Sequence, residues 1–413
     1  MYNLHLTAEQ LEIRETVRDF VTREIKPVAL KSARLEAGDR HLSPDIFDQA
    51  SQMGLRTLAL SEASGGAGAD NLTSCIVTEE LAVGDADFAA TLAETSTLGR
   101  LLFDHAMTPE QRARFLPQFV ADDRCHLAFA EHEPDADGEL GINYHRPAVT
   151  EAVVKTTAVK QSNGDWVVNG VKNFITNAPL AKLIAVQVRT DPKASGMHGV
   201  STLLVTPDMP GLTIKEHDQA TAWYHGTRGE LIFKDCRVAA ENLLGAEGKS
   251  PLTGGTGAPG RGIPQFEALN LGIGRAAYES AIDYAKLRVQ GGRPIIEHQA
   301  IGTLLAEIAI KLEVARNTVW HAAWVSDHPD AYADRSLADL PLETIARVFT
   351  SEMVRQIALD AAECFGAMGV MRDMPLQKYV RDALICLHSD QSNNDAKLRI
   401  AEAVAGYERP SAR

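Results

Sequence analysis

A chain of 413 residues with 41 Lys and Arg against 55 Asp and Glu carries a formal charge of −14, and no long basic run interrupts it, which excludes a broad nucleic-acid surface. Its 45% hydrophobic content can bury the cores of two or three domains. No window approaches eighteen uninterrupted apolar residues, and the start "MYNLHLTAEQLEIRETVRDF" is acidic and amphipathic rather than a signal or transit peptide, so no membrane span and a cytoplasmic location are expected.

Residues 1–124 read as a helical domain. In "EQLEIRETVRDFVTREI" Leu11, Ile13, Val17, Phe20 and Val21 recur mainly on one side of a helix, and "PDIFDQASQMG" ends in a glycine stop. The texture changes near residue 125, where "WVVNGVKNFITN", "KLIAVQVRT", "GVSTLLVTP" and "GELIFKDCRV" are short β-rich runs separated by Asn-Gly, Pro and Gly turns, predicting a β domain over residues 125–240. From 241 to 413, after a Gly-rich loop, helical periods return in "ALNLGIGRAAYESAIDYAKLRV", "AIGTLLAEIAIKLEVARNTVWHAAWV", "LETIARVFTSEMVRQIALDAAECFG" and "DAKLRIAEAVAGY". They predict a bundle of at least four helices. No period of 20 to 50 residues repeats.

Several simple chemistries are disfavoured. Cys75, Cys125, Cys236, Cys364 and Cys386 are scattered without a CxxC pair, as expected of reduced buried thiols rather than a zinc site or a disulfide framework. His126 with His132, and His321 with His328, lack carboxylate or cysteine company at ligand spacing, so no metal is expected. "GTGAPG" at 255–260 fits GxGxxG, but the alternating β/α texture of a dinucleotide fold is missing. No GxSxG elbow is present.

"FAEHEP" (129–134), "VNGVKNFITNAP" (168–179), "TRGELIFKDCRV" (227–238), "RVQGGRPIIEHQAI" (288–301) and "CFGAMGVMRDMPLQKYVRDA" (364–383) occur in the order and near the spacing of flavin-dependent acyl-CoA dehydrogenases. The chain resembles that family over nearly its whole length. The resemblance implies an α+β fold with an N-terminal helical domain, a middle β-barrel domain and a C-terminal four-helix bundle. FAD is the implied cofactor, contacted by Phe129, His132, Phe174, Thr176, Arg288, Gln290, Gln299, Gly366, Gly369, Ser392 and Asn394. Arg288, Gln290 and Gln299 match positions reaching the pyrophosphate and adenine side across a subunit interface, so a homotetramer, or at least a dimer, is implied. A phosphate in so acidic a chain needs such a donor as Arg288. The implied partners are an acyl-CoA substrate and an electron-transfer flavoprotein.

Oxidation of an acyl-CoA needs a carboxylate over the carbon next to the thioester. Where many family members carry Tyr-Glu-Gly-Thr, this chain aligns Ser389, Asp390, Gln391 and Ser392, so the resemblance implies Asp390 as the base. The family's alternative base position is filled by Arg261 and Gly262. Locally, Ser-Asp-Gln-Ser before a helix also suits a cap, with Ser392 and Asp395 resembling a capping box. Glu94, Ser389 and Arg261 are expected along the substrate pocket.

Three departures from the family stand out. His132 replaces a hydroxyl residue, and roughly ten additional residues within 139–155 lie near the expected CoA entrance, where they form a surface excursion or, as the alternative, bring Tyr144, His145 and Arg146 to the substrate. The base is one methylene short. A C–C bond is about 1.5 Å, so with Ser389 removing bulk beside it the acyl group is expected to be branched or cyclic. The same fold with an aspartate base occurs in nitroalkane oxidases, which need no CoA. Asn393 matches that pattern, but Lys397 stands where it has an arginine. A non-catalytic flavoprotein is the remaining class.

Overall fold

The computed structural model describes residues 5–31, 43–134, 154–194, 199–216, 227–252, 264–328, 340–387 and 393–406. Among the described residues the N-terminal part carries the α-helices α1 (Ala8–Phe20), α2 (Lys26–Ala29), α3 (Pro44–Gln52), α4 (Asn71–Gly84), α5 (Ala86–Gly99) and α6 (Pro109–Ala121). Their starts follow capping chemistry. Thr7 with Gln10 and Thr108 with Gln111 form reciprocal capping boxes, while Asp70 and Asp85 accept the Thr73 and Phe88 amides. The predicted apolar face of α1 holds for Val17 and Phe20 and continues into Val21, but Leu11 is 40% exposed, because position 11 rotates away from that stripe. α3 ends as expected, with Gly54 at φ +80°.

The middle of the chain is β1 (His126–Ala130), β2 (Thr157–Lys160), β3 (Trp166–Thr176), β4 (Ala181–Arg189), β5 (Val200–Val205), β6 (Leu212–Glu216), β7 (Arg228–Val238) and β8 (Leu243–Leu244). They form one eight-stranded sheet ordered β6-β7-β3-β2-β4-β5-β8, with β1 parallel to β4. Trp166, Val168, Ile175, Ile184, Leu203, Leu231 and Phe233 meet in its core. Asn169-Gly170, read from sequence as a turn, lies inside β3. Gly170 takes φ +146° where the register to β7 shifts, and Asn169 exchanges hydrogen bonds with Asp235 across the strands. The pair makes a bulge, because β3 continues along β7 on both sides of it.

The C-terminal part is α7 (Gln265–Leu287), a short hairpin of β9 (Val289–Gln290) and β10 (Arg293–Pro294), α8 (Gln299–Asp327), α9 (Leu342–Phe365), α10 (Leu376–Ile385) and α11 (Asn393–Ala405). α7 packs on both α4 and α9. A buried ion cluster pins this junction. Arg275 of α7 reaches Glu79 of α4 at 2.6 Å and also pairs with Glu80, which Arg18 of α1 meets at 2.8 Å. Arg316 of α8 holds Glu79 at 2.8 Å. A separate carboxylate, Asp327 at the end of α8, accepts the Asn71 and Leu72 amides at the start of α4, where unpaired helix N–H groups favour negative charge. Among the described residues no helix is long and apolar enough to cross a membrane. All five cysteines are free and buried, as expected.

Candidate active site

The loop after β1 carries "EHEP", and a buried ion pair fixes it. Lys172 of β3 and Glu133 are 2.7 Å apart, with side chains 0% and 2% exposed. Glu133 also accepts the Lys155 and Thr156 amides at 2.6 and 3.0 Å, and Lys172 donates to the Glu131 carbonyl. Burial alone would push the Glu133 carboxyl up, but the Lys172 charge and these donors hold it below its ordinary value. Burial outweighs Glu133 at Lys172 and draws the ammonium down. The Asn173 amide donates to the His132 carbonyl at 3.0 Å, so "FAEHEP" and "NFIT" form one rigid unit. Sequence reasoning missed both charged residues. Their signal was a lysine at the same alternation as Trp166 and Val168.

That unit presents Phe174 outward. Phe174 is 67% exposed at φ +54°, beside a second register shift of β3. A large side chain is costly in the left-handed region, and here it is not repaid by burial in the core. Thr176 lies opposite Arg228 in the ladder. Asn177, at φ +62° and fully buried, donates to the Thr91 carbonyl, the Thr95 hydroxyl and the Leu127 carbonyl at 3.0 to 3.1 Å. It locks the end of β3 to α5 and β1. Thr95 also meets His126 Nδ1 at 3.2 Å, and burial pushes that imidazole down to about 4, which favours the neutral ring in the core. Phe129 is half-buried against the cluster of Leu101, Leu127 and Leu183. The His132 ring is 46% exposed, 3.8 Å from Glu131.

The same corner gathers charge from three elements. Lys378 of α10 sits 3.1 Å from Asp85 and 2.5 Å from Asp382. Asp87 accepts the Thr227 hydroxyl at 2.5 Å and lies 3.9 Å from Arg228. Burial lowers the Arg228 pKa, opposed first by the Asp87 carboxylate and then by those of Asp382 and Glu94. Glu94 itself is half-buried. α10, which sequence periodicity did not anticipate, is followed by Cys386, buried in the core cluster that also holds Leu92 of α5, Leu269 of α7 and Val354 of α9.

Other expected cofactor residues lie elsewhere in the fold. Arg288 caps α7, and Arg288, Gln290 and Gln299 are exposed around the β9–β10 hairpin, which the His298 ring ties to the Gln290 carbonyl at 2.9 Å. Gly366 ends α9 at φ +58° with nothing within 4 Å of where a Cβ would be. At Gly369 a Cβ would meet the Ala362 carbonyl at 2.4 Å, so helix-end packing already requires that glycine. Asn394 is exposed on the first turn of α11, whose Asn393 bonds Ser351 of α9 at 3.0 Å. Arg261, Ser389, Asp390 and Ser392, with Tyr144, His145, Arg146 and "GTGAPG", lie outside the described residues. Among the described residues no group of three metal-ligating side chains occurs.

The residues fit a flavin dinucleotide. An exposed aromatic ring on strained backbone offers a face to a flat heterocycle, and an exposed arginine at a helix end offers charge to a pyrophosphate.

Family models for the acyl-CoA dehydrogenase N-terminal, middle and C-terminal domains match residues 7–123, 150–236 and 265–404. The chain is 32% identical to an acyl-CoA dehydrogenase of Bacillus subtilis, covering 98% of this chain and 100% of that one. It is 30% identical to cyclohexane-1-carbonyl-CoA dehydrogenase of Geobacter metallireducens, covering 96% and 98%. Its fold superposes on butyryl-CoA dehydrogenase of Megasphaera elsdenii with a TM-score of 0.81 at 28% identity, covering 98% and 99%. The chain therefore belongs to the acyl-CoA dehydrogenase family, and it is an FAD-dependent oxidoreductase acting on the CH–CH bond of an acyl-CoA.

Proposed function

We propose that Asp390 is the base of this dehydrogenase and that its acyl substrate is branched or cyclic next to the thioester. The observation that carries the first part is the anchoring on both sides of residue 390. Cys386 is buried in the core shared by α5, α7 and α9, and Asn393 is bonded to Ser351. A carboxylate four residues beyond Cys386 starts from a fixed point beside α5. Asp390 removes the proton from the carbon next to the thioester, while bound FAD supplies the acceptor for the hydride leaving the following carbon. Phe174 and Thr176 would hold the flavin ring when FAD is bound. Arg288, Gln290 and Gln299 would hold the phosphate and adenine end of a neighbouring subunit's FAD.

The second part rests on chain chemistry. Aspartate falls about 1.5 Å short of glutamate's reach, and Ser389 leaves room for width. The likeness to a dehydrogenase named for a cyclohexane acyl group supports the same direction. Anaerobic mixing with linear, branched, cyclic and aromatic acyl-CoAs tests it, with fastest flavin bleaching expected for a branched or cyclic member. A linear medium-chain thioester reacting fastest would sink the substrate reading. The nitroalkane-oxidase alternative is weakened by Lys397, which pairs with Glu352 at 2.5 Å on the surface with both side chains about half exposed.

The proposed assembly is a homotetramer in the cytoplasm that passes electrons to an electron-transfer flavoprotein. Leu287, Ile310, Val314 and Val370 are 82%, 63%, 48% and 72% exposed, with Ile310 and Val314 one turn apart on α8. Such apolar side chains suit burial against a second copy. Ile310→Glu with Val314→Lys should shift sedimentation toward smaller species and lower FAD retention, since Arg288 would then lack its neighbour's flavin. An unchanged tetramer peak would remove this surface from the interface.

A further inference from the structure

We infer that the buried charges of Asp85, Asp87, Lys378 and Asp382, with the largely covered Arg228, form a joint that holds the flavin-facing strand, the acyl-pocket helix and the base-bearing segment in register. The inference rests on reading Asp390 as the base. Asp85 works in two directions: its Oδ1 accepts the Phe88 amide at 2.9 Å and starts α5, and its Oδ2 lies 3.1 Å from Lys378 of α10. Lys378, 4% exposed, also grips Asp382 one turn along its own helix at 2.5 Å. Two residues into α5, Asp87 takes the Thr227 hydroxyl and faces Arg228, and Arg228 stands opposite Thr176. Each tethered element carries one part of the reaction. β3 carries Phe174 and Thr176, α5 carries Glu94, and α10 runs to Cys386, four residues before Asp390.

A purely stabilising role explains this arrangement poorly. Desolvating ions costs enough that apolar side chains of similar volume often stabilise a junction equally well or better. What ion pairs and directed hydrogen bonds add is a defined relative position. The reaction requires position, because base, both substrate carbons and flavin must be within about 3–3.5 Å of their partners, and a displacement of about 1 Å can cost about 100-fold in rate. These five are positioning residues acting through Asp390 and Phe174.

The test uses the full FAD-loaded chain and the panel acyl-CoA that bleaches flavin fastest. Asp87→Asn keeps the acceptor for Thr227 and removes the charge facing Arg228, while Arg228→Lys keeps the charge and loses the fork. Both should load FAD to wild-type stoichiometry and bind the thioester within about threefold. Per bound flavin they should bleach about 10- to 100-fold more slowly, with an enlarged isotope effect when the carbon next to the thioester carries deuterium. A rate within twofold of wild type, or a slower rate with an unchanged isotope effect, overturns the joint. Should either variant fail to load FAD, Thr227→Val, which deletes one hydroxyl donor, decides in the same assay by the same criteria at about threefold amplitude. Wild-type behaviour of these variants with Asp390→Asn inactive removes only the joint. Fast bleaching by Asp390→Asn removes the base reading itself.

Discussion

Asp390→Asn should bind FAD and acyl-CoA yet bleach the flavin about 100- to 10,000-fold more slowly than wild type, the range a positioned general base contributes. Asparagine preserves size and hydrogen-bonding capacity, so thioester binding should survive and the loss should fall on the chemical step. Stopped-flow absorbance of the oxidised flavin measures it directly. Asp390→Glu gives a sharper result, because it restores the length most family members use. If the short acid matches a wide acyl group, the extra methylene should lower the rate with a branched or cyclic thioester and raise it with a linear one. Such an inversion is hard to obtain from a helix cap, since glutamate caps less well than aspartate with every substrate alike. Near-normal bleaching by Asp390→Asn would leave residues 389–392 with a capping role only.

The long elements were legible in the sequence because their physics is local. α7, α8 and α9 show helical periodicity over more than twenty residues each, and the β runs are bounded by turn residues. α10 was less visible, since Gly366, Gly369 and Pro375 crowd its approach and only ten residues follow the proline. Asn169-Gly170 has turn composition, yet pairing with β7 extends through it as a bulge. The resemblance, rather than the alternation of β3, pointed to Phe174, whose exposure follows from a backbone angle that local sequence does not reveal. The charges at the site were hardest to read. Lys172, Asp85, Asp87 and Asp382 resemble solvated residues until their partners are known, and Arg228 meets Asp87 from 141 positions along the chain. Burial of a charge is decided by that partner.

Arg275→Met should destabilise the fold by about 3–5 kcal/mol, the usual cost of removing one member of a buried ion pair. Methionine fills much of the volume, so the loss isolates the charge. Glu79 and Glu80 would remain adjacent and nearly buried, at 3% and 2% exposure, with Arg316 and Arg18 as their remaining cations. The dependence on acid distinguishes electrostatics from packing. Burial alone would raise the Glu80 carboxyl pKa, but hydrogen bonds and attraction from Arg275 and then Arg18 hold it below its ordinary value. A carboxyl with a lowered folded-state pKa stabilises the fold above its unfolded pKa, about 4.3 for Glu. That contribution is lost as pH falls through the lower, folded value, because the unfolded chain takes up protons first. Wild type should therefore lose stability between about pH 5 and pH 3 more steeply than Arg275→Met, and the gap between them should narrow in acid. Urea unfolding across that range measures both slopes. Parallel curves would assign the effect to packing around the arginine stem and leave the ion cluster without an energetic role at the junction of α1, α4, α7 and α8.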